Sequence, residues 1–223
     1  MKRLAFMTVS IVAIILLPQS TGAASIDVNA TAAMTGSFGL EVVSDGANVD
    51  GAYVQDDSPD AEGTYRVSFM FNPAQIAITQ TGFILESRHF IFTANGESVI
   101  QPSNLRVIGI YFLKKSGQYW IAAQGVNTAA GKIKSSTRIN LGAAGVENSP
   151  HLIELEWQAA TISGGYGLLR MRADGGAWVD IPTIKNFTQV VHTARLGIVI
   201  GLDADTVGSH YFDDFQSFRT LAP

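Results

Sequence analysis

The chain has 223 residues, of which 47% are hydrophobic, with 15 Lys and Arg, 19 Asp and Glu, and no cysteine. A formal net charge of −4 with no basic cluster argues against a phosphate-backbone binder, so no nucleic-acid partner is expected. Without cysteine there are no disulfides, and stability must come from a buried core, which a chain of this length can build.

The first segment reads as a secretion signal. Lys2 and Arg3 precede the apolar stretch from Leu4 to Leu17, and small residues dominate from Pro18 to Ser25. Thr21-Gly22-Ala23 or Gly22-Ala23-Ala24 would present small residues at a cleavage site, giving a signal over 1–24 and one domain over 25–223. The apolar stretch is shorter than the roughly 20 residues of a spanning helix, and no later run approaches that length. The expectation is a protein secreted to the periplasm or the exterior, with no membrane span after cleavage and a more acidic mature surface.

From there the chain holds 22 glycines and no convincing helical periodicity. Short apolar or alternating runs are split by Gly, Asn, Asp and Pro, the pattern of an all-β sandwich or barrel. Ile26 to Ser37 is weakly specified. Strands are expected at Phe38–Val43, Ala52–Val54 and Thr64–Asn72; in the last, Tyr65, Val67, Phe69 and Phe71 share one face. Gly82–Glu86 and His89–Ala94 follow, with Asn95-Gly96 as a type I′ turn. Arg106–Lys114 and Gln118–Ala123 form a hairpin over Ser116-Gly117, and Gly125–Ser136 reads as a loop. His151–Ala160, Leu168–Ala173 and Ala177–Ile181 come next, the last two separated by the Asp174-Gly175-Gly176 turn. Arg195–Gly201 and His210–Phe218 close a set of about a dozen strands.

The runs HLIELEWQAA, GLLRMRADGGAW and RLGIVIGLDADTVGSHYFDDFQSFR follow one another in an order that resembles concanavalin A-like, or laminin-G-like, jelly rolls. AYVQDDSPDAEGTYRVSFMFNP resembles the opening of secreted bacterial domains of this kind, many without an assigned activity. The resemblance implies a two-sheet antiparallel β-sandwich, a lectin-like jelly roll with little helix after the signal. That architecture hosts lectins, adhesion modules and glycosidases alike, so it does not choose among them.

Three groups of residues are candidates for a site. Asp203, Asp205 and Asp213, with Asp214 beside the last, offer hard oxygen ligands for a structural Ca²⁺. Their spacing matches no dedicated calcium loop, and the alternative is that they cap turns and accept backbone hydrogen bonds. On an uninterrupted strand Tyr211, Asp213, Phe215 and Ser217 would share one face. Glu154 and Glu156 in IELEW project from one strand face, as paired carboxylates of a glycosidase do. Laminarinase-type enzymes carry a third acid in that run, where this chain has none; the alternative is a solvent-facing polar side. Tyr166, Trp178 and Tyr119 are candidate platforms for a sugar ring, with core packing the alternative.

The sequence therefore points to a secreted, non-catalytic recognition domain for glycans or a cell-surface polymer, with Ca²⁺ as an optional structural ion. Two alternatives stay open: a glycoside hydrolase or polysaccharide lyase using Glu154 and Glu156, and a structural or adhesive envelope protein without a small ligand.

Overall fold

The structure is a computed structural model that describes residues 24–46, 51–74, 76–78, 87–96, 105–127, 132–204 and 206–222. Among these residues there are 14 strands, in two seven-stranded antiparallel sheets, and no helix. In chain order they are β1 (Ser25–Asn29), β2 (Gly39–Asp45), β3 (Ala52–Asp56), β4 (Thr64–Asn72), β5 (Ser87–Gly96), β6 (Leu105–Lys115) and β7 (Gln118–Asn127). They continue as β8 (Lys132–Ser135), β9 (Ile139–Ala143), β10 (His151–Gln158), β11 (Leu168–Ala173), β12 (Val179–Asp180), β13 (Thr193–Ile200) and β14 (Val207–Phe218). The first sheet runs β1-β2-β14-β4-β10-β11-β12. The second runs β3-β13-β5-β6-β7-β8, with β9 also pairing β7.

Alternation builds the core. In β4, Tyr65, Val67, Phe69 and Phe71 are fully buried while the residues between them are half-buried. They meet Ile153, Leu155 and Trp157 of β10 on the same face, and Phe92, Ile110 and Phe112 from the facing sheet. Phe69 and Phe71 lie within 5.3–6.3 Å of the rings of Phe92, Phe112 and Phe212. Each buried aromatic of this kind contributes about 1.5–3 kcal/mol relative to exposure, which replaces the cross-links the chain lacks.

Several local expectations change. Asn95-Gly96 is not a turn: neither residue has the positive φ that type I′ needs, and both extend β5 by pairing with Arg106 and Leu105. Ser116-Gly117 and Asp174-Gly175 do have positive φ at both positions and reverse the chain as expected. Part of the expected loop Gly125–Ser136 is strand, since β7 runs to Asn127 and β8 pairs with it. β1 and β9 were not legible in the sequence. The expected strand Gly82–Glu86, and the expected signal over 1–24 up to residue 23, lie outside the described residues.

β13 and β14 belong to different sheets. β13 lies between β3 and β5, and β14 between β2 and β4, so the chain changes layer between Ile200 and Val207. β14 is also broken by a bulge. Its register with β4 slips between Asp213 and Gln216, and Asp214 takes a left-handed φ of 49°. An extra residue in one strand reverses the facing of those after it. His210 and Phe212 point into the core before the bulge, and Phe215 and Ser217 turn inward after it. Tyr211, Asp213, Phe215 and Ser217 therefore do not share a face, as an uninterrupted strand would require.

Candidate functional site

The glutamate pair sits where the spacing places it, on one face of β10, but both acids are engaged. Glu154 lies opposite Arg172 and Glu156 opposite Arg170 in the β10–β11 register. Arg172 donates two bonds to Glu154, Nε to Oε2 at 2.6 Å and Nη2 to Oε1 at 2.8 Å. Arg170 Nε donates to Glu156 Oε2 at 2.7 Å, and the Ala222 amide donates to Glu156 Oε1 at 2.9 Å. Glu156 is 0% exposed, so this side of the strand is not the expected solvated face. A bidentate Arg–carboxylate pair is a strong structural element and a poor nucleophile. Trp178 lies against both arginines, its ring 4.6 Å from Arg170 Cζ and 4.5 Å from Arg172 Cζ. The ring is thus held in a cluster of ions on the outer face of the first sheet.

Tyr119 corrects the expected set of sugar platforms. It is 1% exposed, its hydroxyl donates to the Ile76 carbonyl and accepts from the Gly145 amide, and neither ring face is open. Tyr166 is 60% exposed in its glycine-rich loop, with Lys185 Nζ 5.7 Å from the ring.

The structure does not bring Asp203 and Asp213 to one place. Asp213 Oδ2 accepts the amides of Met34 at 2.9 Å and Thr35 at 2.8 Å, and its Oδ1 accepts that of Asp214 at 2.8 Å. Burial raises the Asp213 carboxyl, but these bonds outweigh it and hold the group below the usual carboxylate range. Asp203 stands in the crossover between the sheets, where burial pushes its carboxyl upward. The extended β14 residues from Val207 to Asp213 alone span about 20 Å. Asp205 lies outside the described residues, and among those described no group of three or more His, Asp or Glu could hold a metal ion.

The second sheet carries a constellation that sequence reasoning missed. Its outer face has its own apolar cluster, Phe90, Tyr111, Leu113, Ala122 and Val199, with Tyr53 and Trp120 at the margin. Three arginines lie on it. Arg106 Cζ is 3.8 Å from the centre of the Phe90 ring, Arg195 Cζ 4.7 Å from Tyr53, and Arg88 Cζ 5.3 Å from Tyr111. The register slip between Ala94 and Asn95 separates Arg106 from the inward-facing Ile108 and turns it outward. Gly109 leaves the room that Phe90 needs, since a Cβ there would stand 2.6 Å from its ring.

Electrostatics mark this face further. Burial pushes the Arg106 guanidinium below its usual range, and the positive charge of Arg88 pushes it further. Among the described residues no salt bridge joins Arg88 or Arg106 to a carboxylate. Arg195 Nε donates to Gln55 Oε1 at 2.8 Å, which places an amide beside its guanidinium. One signal was available beforehand. VIGIYFLK is apolar on both strand faces, which means that neither face is plain solvent-facing surface.

No family model matches the chain, and no curated protein does. Solved structures do match in fold. An endo-β-1,4-glucuronan lyase from the fungus Trichoderma reesei aligns at 12% identity and TM-score 0.55, covering 89% of this chain and 88% of its own. A carbohydrate esterase from the Shiga toxin-encoding bacteriophage phi24B aligns at 10% identity and TM-score 0.52, covering 89% and 87%. A mutant of the alginate lyase Aly36B, in complex with alginate trisaccharide, aligns at 11% identity and TM-score 0.51, covering 79% and 80%. Identities this low establish a shared β-sandwich fold and nothing finer.

Proposed function

We propose that the chain binds an acidic polysaccharide along the outer face of its second sheet and cleaves it by β-elimination, as a polysaccharide lyase. The observation that carries this is the pair Arg88 and Arg106, like charges on an aromatic floor with no carboxylate partner among the described residues. Like charges set together on an apolar floor repel each other, and carboxylates on a sugar chain relieve that repulsion while the rings of Tyr53 and Trp120 receive the apolar faces of the sugars. The fold neighbours that act on glucuronan and alginate support the reading.

The chemistry needs a cation to neutralise the uronate carboxylate and a group that moves one proton. Arg195 with Gln55 supplies the first, and Tyr53 beside them supplies the second. In the proposed step Tyr53 Oη, its own proton first passed to solvent, takes the proton from the carbon bearing the carboxylate. The electron pair left behind forms a carbon–carbon double bond, the glycosidic carbon–oxygen bond breaks, and the phenol returns its proton to the departing oxygen. Secretion, expected from the leader, would bring the protein to such polymers.

The test is ultraviolet absorbance of unsaturated products across a panel of acidic polysaccharides. Wild type should form them, Tyr53→Phe should lose activity at least about 100-fold while still binding, and Arg106→Gln should weaken binding about tenfold. Binding without products would leave non-catalytic recognition, in which the arginines and the aromatic floor bind the polymer and Tyr53 moves no proton. Absence of binding to every acidic polymer overturns both.

A further inference from the structure

The bulge in β14 builds a second site, away from the arginine face. Between the edges of the two sheets lies a cavity of about 450 Å³, lined by Val54, Gln55, Asp56, Ala194, Leu196, Phe215 and Ser217. That volume falls within the roughly 300–1,000 Å³ typical of small-molecule clefts. Phe215 and Ser217 reach it because the Asp213–Asp214 bulge reverses the end of the strand, and bulges that re-aim side chains are common beside binding sites.

One wall is apolar, with the Phe215 ring and the aliphatic groups of Val54, Ala194 and Leu196. The other is polar. Asp56 accepts the Ser58 amide at 2.9 Å and the Ser217 hydroxyl at 3.3 Å, and Arg219 Nη1 donates to Ser217 Oγ at 3.3 Å. Burial raises the Asp56 carboxyl, but the bonds from Ser58 and Ser217 and the charge of Arg219 outweigh it, so it stays ionised. Tyr65 stands fully buried behind this wall, its phenol close to Asp56 and Ser217.

We propose that this cavity binds one pyranose unit of a neutral sugar. A pyranose has an apolar ring face, which fits Phe215, and a rim of hydroxyls, which fits the acceptor oxygens of Asp56 and the hydroxyl of Ser217. The negative charge of Asp56 disfavours a uronate here, so this site differs in charge preference from the arginine face. The site stands whether or not the chain is a lyase.

The experiment is a titration of the full chain, followed by calorimetry and by NMR, with neutral oligosaccharides of glucose, galactose and mannose and with glucuronate and galacturonate as acidic controls. At least one neutral sugar should bind, and at the NMR signals of Phe215 and Ser217 the uronates should bind at least tenfold more weakly. Asp56→Asn and Phe215→Leu should each weaken the neutral sugar about tenfold. Phe215→Leu keeps the packing apolar, and the unfolding temperature of each variant shows that it is folded. Arg106→Gln should leave neutral-sugar binding unchanged. Failure of every neutral sugar to bind overturns the site, as does wild-type affinity in both Asp56→Asn and Phe215→Leu.

Discussion

Two buried histidines join the layers at the residue scale. His89 of β5 and His210 of β14 come from opposite sheets, and their Nε2 atoms stand 2.8 Å apart. The contact requires at least one neutral ring, because one nitrogen donates and the other must accept. The rings packed around them are Phe71, Phe112 and Phe212, none of which carries a charge. Burial holds His89 down to about 4, and burial together with the charge of His89 holds His210 well below its ordinary value. In the unfolded chain both titrate near 6.5. Below about pH 6.5 the unfolded state therefore binds protons that the folded state refuses, and stability falls as pH drops toward the folded values. It is full above pH 6.5. The loss approaches about 1.4 kcal/mol per pH unit for each histidine. Urea unfolding at pH 7 and pH 5 should show this drop in wild type and not in a His89→Leu/His210→Leu double variant. Equal drops in both would remove the pair as the cause.

At the scale of elements, β14 shows what a sequence conceals. β4 and β11 were legible to the residue because clean alternation or a D-G turn bounds them, and Ser116-Gly117 declared its hairpin. HYFDDFQSF mixes aromatic and polar residues on both faces of an uninterrupted strand, and that mixture alone does not locate the bulge; the slip becomes visible only when β4 supplies the register. The same holds for the glutamates. Their shared face follows from period-2 spacing, but their pairing with Arg170 and Arg172 depends on β11 as the neighbour. The arginine face was hidden because Arg88, Arg106 and Arg195 come from three strands and are gathered by sheet order. Asp213 holds the bulge to the segment after β1 through the Met34 and Thr35 amides. Asp213→Ala should cost about 1–3 kcal/mol, because it leaves those amides without their acceptor. Hydrogen exchange should then speed at Met34 and Thr35 and stay unchanged in β10. Unchanged exchange at both amides would show that the carboxylate does not pin the loop.

On the scale of the whole molecule the charge distribution sets up a contrast between the two proposed sites. The chain as a whole is acidic, at −4, so an acidic polymer is repelled by the molecule and attracted only by the local field of Arg88, Arg106 and Arg195. Attraction between a polymer charge and a partly exposed guanidinium reaches about one Debye length, which shrinks from about 10 Å at 0.1 M salt to about 3 Å at 1 M. Over that range the affinity for an acidic polysaccharide should fall about tenfold or more. The cavity under β14 takes an uncharged ring through Phe215 and hydroxyl contacts, so its affinity for a neutral sugar should change less than about twofold over the same range. Titrations of both ligands against salt read the two slopes on one protein. A steep slope for the neutral sugar would mean that charge, and not the apolar wall and the acceptor groups, governs the cavity. A flat slope for the acidic polymer would mean that the arginines do not face it.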